Sequence, residues 1–171
     1  LTKTISRSVT LSNATIDNNA GLTVLSAPAG YGKSCFIEQW LKTTGRGFSW
    51  FNIDKYDDSP RSFWSYLSEC LSKVAPDIKK SVQGLLSQTS EPDYTEYVDW
   101  LLTTLEQTGR KWDRPDRFTL VIDNFDFIKN PLITHSLCRF LDYTPHWLNI
   151  IILSRSSLNI DLPERLSKGQ T

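Results

Sequence analysis

Between an apolar run and the start of a helical pattern, residues 26–36 read SAPAGYGKSCF. Two glycines, a lysine and a hydroxyl at this spacing suit the binding of phosphate. Successive backbone N–H groups can curl around anionic oxygens only where the side chains are small. A helix starting behind them adds the positive end of its dipole. A lysine here reaches the outer phosphates of a nucleotide, and the hydroxyl after it ligates Mg²⁺. The pattern G-x-x-x-x-G-K-[ST] runs from Ala27 to Ser34, with Gly30, Gly32, Lys33 and Ser34 in place. Ala27 stands where the strict pattern has glycine, a mild change if that position needs no positive φ. The candidate cradle is therefore Pro28, Ala29, Gly30, Tyr31, Gly32, Lys33, Ser34 and Cys35. On the loop alone, a glycine turn carrying a surface lysine is the alternative.

A magnesium–nucleotide site also needs a carboxylate at the carboxyl end of a neighbouring strand. The run FTLVID, 118–123, delivers Asp123 there, unless that residue merely caps its strand. The run LNIIILSR, 148–155, ends in Ser154 and Arg155. A guanidinium at a strand tip can bind a terminal phosphate and report its loss; a surface salt bridge is the other use for it. Ser34 and Asp123 are the candidate metal-side residues, and Lys33, Asp123 and Arg155 the candidates for chemistry. Three strand tips carrying Lys/Ser, Asp and Ser/Arg together favour the phosphate cradle.

These residues need a scaffold of parallel strands. Residues 21–26, 47–53, 118–123 and 148–154 read as strands, the last two apolar on both faces as central parallel strands must be. Helical patterns lie at 34–42 and 131–142, so strands and helices alternate, which predicts an α/β fold. Residues 54–117 exceed one crossover and carry two helical stripes. One is Phe63, Tyr66, Leu67, Cys70, Leu71 and Val74; the other is Tyr94, Val98, Leu101, Leu102 and Leu105. Ser59 before Pro60 predicts an N-cap with proline at the first helical position. Asp93 with Glu96 resembles a capping box, and Gly109 a helix stop. The expected architecture is a three-layer core with a mainly parallel sheet and a helical insertion between its second and third strands. The aromatic stretch SFWSYL reads as core packing rather than as a nucleobase platform.

The 171 residues suit a single domain, and 39% hydrophobic with 22% charged residues is ordinary for a globular core. Lysine plus arginine equal aspartate plus glutamate at 19 each, so no basic field points to nucleic acid. Three dispersed cysteines fit neither a disulfide framework nor a zinc site and imply a reducing compartment. His135 and His146 stand apart from each other and from the cysteines. No run is long enough for a membrane span and no signal peptide is evident, so a cytoplasmic location is expected.

The segments SAPAGYGKS, NIDKYDDSPRSFWSYL, LVIDNFDFI and IIILSR together resemble the nucleotide-binding domain of the large ATP-dependent LuxR-type transcriptional regulators. Those are signal-transduction NTPases of the STAND group, related to AAA+ proteins. The loop and Asp123 are generic to P-loop proteins; the SAPAGYGK wording and the DDSPRSFWSYL helix start are more specific. The resemblance implies a P-loop NTPase core of the ASCE type, with the 148–154 strand lying between the loop strand and the Asp123 strand. It implies ATP or ADP with Mg²⁺, an ATP-bound form that self-associates, and DNA binding only through a further domain. It also implies adenine contacts just before the loop strand, where Ile5, Ser6, Arg7 and Val9 are the nearest match.

Two departures from that family pattern stand out. Asn124 occupies the place of a second acidic residue that could orient water. An amide can position water but cannot take its proton, which forgoes help worth about 10²–10⁴-fold. Asp126, two residues on, either substitutes as base or is a solvated loop carboxylate. Hydrolysis is therefore expected to be slow. The second departure is length: the chain stops soon after Arg155, before a fifth strand on the other side of the loop strand and before the lid and DNA-binding domains. On this reading residues 1–171 are one P-loop domain, incomplete at its C-terminus, with an open edge on the loop strand. Asp54, Asp57 and Asp58 read as capping and solvating groups, with positioning of water as the alternative, and Cys35 as a small packing residue. The functional expectation is an ATP/ADP-binding regulatory switch. A catalytic P-loop ATPase or kinase, or a degenerate scaffold kept for protein contacts, is the alternative.

Overall fold

The computed structural model describes residues 6–7, 16, 21–79, 94–114 and 116–158. Its centre is a parallel sheet formed by β1 (Ser6–Arg7), β2 (Leu22–Ser26), β3 (Phe48–Asn52), β4 (Phe118–Asp123) and β5 (Leu148–Ser154). The strand order is β1-β2-β5-β4-β3, so β5 lies between the strand that feeds the glycine-rich loop and the strand that ends in Asp123. Every residue of β4 and β5 is buried, which is why these two sequences are nearly continuous apolar runs.

Helix α1 (Lys33–Thr44) covers one face, with Ile37 and Leu41 packed against Leu25, Val121, Ile151 and Leu153. On the other face lie α2 (Pro60–Ser72), α3 (Tyr94–Gly109) and α4 (Pro131–Asp142), sharing one core with Val24, Leu120, Ile122, Ile150 and Ile152. This is the expected three-layer architecture, with α2 and α3 between β3 and β4. The Ser59 hydroxyl accepts the Ser62 N–H and Pro60 takes the first helical position, as the sequence predicts. Asp93 lies outside the described residues.

The α2 stripe differs from its expected phase. Trp64 is fully buried while Tyr66 is 52% exposed. The Trp64 ring packs edge-on to Phe63 and Phe140, and its Nε1–H donates to Ser136 Oγ at 3.0 Å. A buried indole needs such a partner, and α4 supplies it. Neighbouring Tyr97 is also buried, bonded to the Ser68 hydroxyl, and burial pushes its phenol pKa up to about 12.

The flank of β2 away from β5 also departs from expectation. Ser6 and Arg7 pair in parallel with Val24 and Leu25, so a two-residue strand sits where an open edge is expected. The edge of a parallel strand accepts any segment that presents N–H and C=O groups in the same direction. Ile5 and Val9 lie outside the described residues.

Candidate functional site

The site lies along the carboxyl ends of the strands, where four tips meet in register: Ser26 pairs with Ser154 and Asn52 with Asp123. One bond beyond each pair extends the ladders: Ala27 N–H donates to the Ser154 carbonyl at 3.2 Å and Ile53 N–H to the Asp123 carbonyl at 3.1 Å. The loop that follows β2 is thereby anchored at its first residue. From Pro28 to Gly32 it is exposed.

Gly30 and Gly32 have φ of 84° and 73°, and a Cβ built on either meets nothing within 4 Å. Their requirement is conformational: left-handed backbone, not tight packing, demands glycine here. Ala27 has no positive φ, so its side chain costs nothing where the strict motif has glycine. Gly32 is the N-cap of α1 and supplies no side-chain cap, and the first turn of that helix carries no acidic residue. The helix therefore opens toward the loop without a competing anion of its own.

Lys33 is buried and turned back into the loop, its ammonium donating to the carbonyls of Ala27 and, at 3.1 Å, Pro28. Ser34 Oγ donates to Asp123 Oδ2 at 2.7 Å across a separation of 89 residues. Asp123 is 6% exposed, and its other oxygen accepts the Asn124 N–H at 2.8 Å. The hydroxyl and carboxylate expected at a magnesium site are thus already in contact. Among the described residues, no cluster of three or more His, Cys, Asp and Glu could hold a metal by itself. A hydroxyl beside one carboxylate, next to a lysine and a glycine loop, fits a cation that arrives with phosphate oxygens as its other ligands.

Asn124 has φ of 57° and caps the short 3₁₀ turn Phe125–Phe127. Asparagine adopts this left-handed conformation more readily than most side chains. Its Nδ2 donates to Asn52 Oδ1 at 2.8 Å, which ties the tips of β3 and β4 together. Sequence reasoning missed Asn52. Its signal was a polar residue closing the run FSWFN, and only the sheet register sets it beside Asp123.

Asp126 departs from its reading as a solvated loop carboxylate. Its Oδ1 accepts the Arg155 N–H at 3.2 Å and its Oδ2 lies 3.6 Å from Arg155 Nε, with the guanidinium 5.7 Å from the Phe127 ring centre. The 3₁₀ turn lifts the carboxylate toward the tip of β5, so it pairs with a cation instead of facing solvent. Arg155 accordingly makes the ion pair left open as its alternative.

The three aspartates after β3 hold backbone. Asp57 Oδ2 accepts the Asp54 N–H and Asp54 Oδ1 the Tyr56 N–H, while Asp58 Oδ1 accepts both Lys129 and Asn130 N–H groups at 2.8 Å. Asp58 thus fastens the loop before α2 to the loop before α4. Cys35 is exposed, which corrects its reading as a packing residue: it lies on the first turn of α1 facing away from the core. Arg7 lies in β1 opposite Leu25. A groove of about 640 Å³ between β3 and α2, lined by Trp50, Tyr56 and Tyr66 among others, includes none of the loop residues. No helix among the described residues is long and apolar enough to cross a membrane.

No family model matches the chain. Solved structures with a similar trace include the Drosophila origin recognition complex bound to DNA, 18% identical over 87% of this chain and 35% of that one with a TM-score of 0.49. The Aeropyrum pernix Orc1 protein in complex with DNA is 16% identical over 92% of this chain and 38% of that one, also with a TM-score of 0.49. Two curated proteins, the HTH-type transcriptional regulator MalT of two Klebsiella pneumoniae strains, are each 28% identical over 157 residues. That match takes in 91% of this chain and 16% of the regulator's length. The resemblance to the large LuxR-type regulators that the sequence motifs carry therefore extends along nearly the whole chain as a similarity to MalT.

Proposed function

We propose that this chain is a nucleotide-binding regulatory module that takes up ATP or ADP with Mg²⁺ and hydrolyses ATP slowly. The observation that carries the reading is the contact between Ser34 Oγ and Asp123 Oδ2, beside Lys33 on a glycine-rich loop. Lys33 exchanges the carbonyls of Ala27 and Pro28 for phosphate oxygens, and loop N–H groups from Ala29 to Cys35 donate to the remaining phosphate oxygens. Ser34 and Asp123 hold the cation. Mg²⁺, when bound, neutralises phosphate charge and orients the terminal group.

Asn124 supports slow turnover. Its amide is bonded to Asn52 and has no group that could accept a proton from water. Slow hydrolysis suits a timer that changes contacts with other protein, and the similarity to MalT supports a transcription regulator as the setting. In that setting the module works in the cytoplasm as one domain of a longer protein. Its ATP-bound form self-associates, and DNA is bound elsewhere in the polypeptide. Calorimetric titration of Mg·ADP and Mg·ATP into the chain and into Lys33→Ala tests the reading. Saturable binding lost in the variant is expected. Equal heats from both proteins would remove the loop from the site, and no binding would leave only a scaffold.

A further inference from the structure

We propose that Asp126 is a latch on Arg155: its carboxylate competes with the terminal phosphate of a nucleoside triphosphate for the guanidinium. It thereby sets the preference between triphosphate and diphosphate. The inference rests on the nucleotide site argued above and adds to it a residue that tunes discrimination without touching nucleotide.

Three features place the latch. Arg155 begins immediately beside the phosphate loop, because the carbonyl before it accepts the Ala27 N–H. Asp126 grips both ends of that residue, its backbone N–H through Oδ1 and its Nε through Oδ2. The Phe127 ring under the guanidinium limits where it can lie. The Asp126 side chain is 17% exposed and held by its turn, whereas the Arg155 side chain is 50% exposed and carries its charge on a long stem. A diphosphate offers no terminal group to draw the guanidinium away and leaves the pair intact. A triphosphate must break the pair to engage Arg155, and each break subtracts the pair's own strength from the affinity. Pairs this exposed are weak, so the latch yields to a doubly charged phosphate yet still shifts affinity by about 2- to 5-fold.

Asp126→Asn keeps an oxygen for the Arg155 N–H and removes the charge. Calorimetry with Mg·ADP and with the magnesium complex of a non-hydrolysable β,γ-imido triphosphate gives the ratio of the two affinities. The expected result is triphosphate affinity raised about 2- to 5-fold with diphosphate affinity unchanged, and no such gain when Asp126→Asn is made in an Arg155→Ala background. Unchanged diphosphate affinity also serves as the control for folding. A ratio that does not move, a gain shared by both nucleotides, or a gain that survives without Arg155 overturns the latch while leaving Lys33-dependent binding standing. Failure of the parent chain to bind either nucleotide overturns the site reading and the latch with it.

Discussion

Replacing Ser34 by alanine probes the site with and without its ligands. The hydroxyl donates at 2.7 Å to a carboxylate that is 6% exposed. A hydrogen bond to a charged group contributes about 1.5–3 kcal/mol. Asp123 keeps its bond from the Asn124 N–H, and Ser34 lies at the exposed end of the pair, where water can replace it. The lower limit, about 1.5 kcal/mol, therefore applies. For a chain of this size 1 kcal/mol moves Tm by about 2–4 °C, so the ligand-free variant should melt about 3–6 °C lower. Saturation at a hundred times Kd stabilises the parent by about 2.7 kcal/mol. Mg·ADP should thus raise the parent Tm by about 5–10 °C and the variant by less than half of that. Thermal unfolding followed by circular dichroism, with Mg·ADP and with ADP plus a chelator, measures all four values. Chelation should bring the parent shift down to that of the variant. An undiminished Mg·ADP shift in Ser34→Ala would refute the hydroxyl as a metal ligand, and an unchanged ligand-free Tm would refute the Ser34–Asp123 pair itself.

Asn124→Asp restores a carboxylate at the water-facing tip of β4 in a backbone conformation aspartate tolerates. Steady-state ATP turnover should rise at least about 10-fold, and turnover no faster than the parent would count against a missing base as the cause of slow hydrolysis. Gly109→Ala should cost about 1–3 kcal/mol in denaturant unfolding, because a Cβ there would sit 2.3 Å from Trp147 Nε1. A stability equal to the parent's would mean that the indole moves freely. Burial raises the Tyr97 phenol to about 12 in the folded chain, against 10.0 ordinarily. The unfolded chain releases this proton first, so the contribution of Tyr97 is complete below pH 10 and falls by about 1.4 kcal/mol per pH unit between 10 and 12. The difference in unfolding free energy between the parent and Tyr97→Phe should narrow across that window. A constant difference would contradict the burial argument.

The parts of the fold that were legible in the sequence are those whose surroundings leave no choice. The strands at 118–123 and 148–154 match residue for residue, because burial on both faces forces an apolar run. The helix at 131–142 matches as well. Gly109 was legible as the end of α3 but not for its reason, since the close approach of Trp147 comes from the segment before β5. The α2 stripe went out of phase for a similar cause. Helical spacing cannot distinguish Trp64 from Tyr66 as the inward ring, and the choice falls to Ser136, 72 residues away, which satisfies the indole N–H. Two-residue β1 has too little pattern of its own and exists only as a partner of β2.

The candidate site divides along the same line. The placement of Lys33, Ser34 and Asp123 together was legible because the motif fixes a residue type at a fixed place on a strand or loop. Asn124 was legible only as a loss. Viewed from the motif it is a carboxylate that has become an amide; viewed from the backbone it is a residue with φ of 57° that must bridge to Asn52. Aspartate could meet the first condition but could accept from Asn52 only if that amide turned over, so an amide pair and a water-activating base are competing uses of one position. Asp126 follows from the same geometry. Once the chain turns through Asn124 into the 3₁₀ turn, the carboxylate at 126 is carried to the tip of β5, and its partner becomes the arginine there. The loop that forgoes a base at 124 thus places an anion against Arg155. On the proposed reading both changes would act on the terminal phosphate alone, the first on how fast it is cleaved and the second on how strongly it is held, and neither residue contacts Lys33 or Ser34 through the bonds described above.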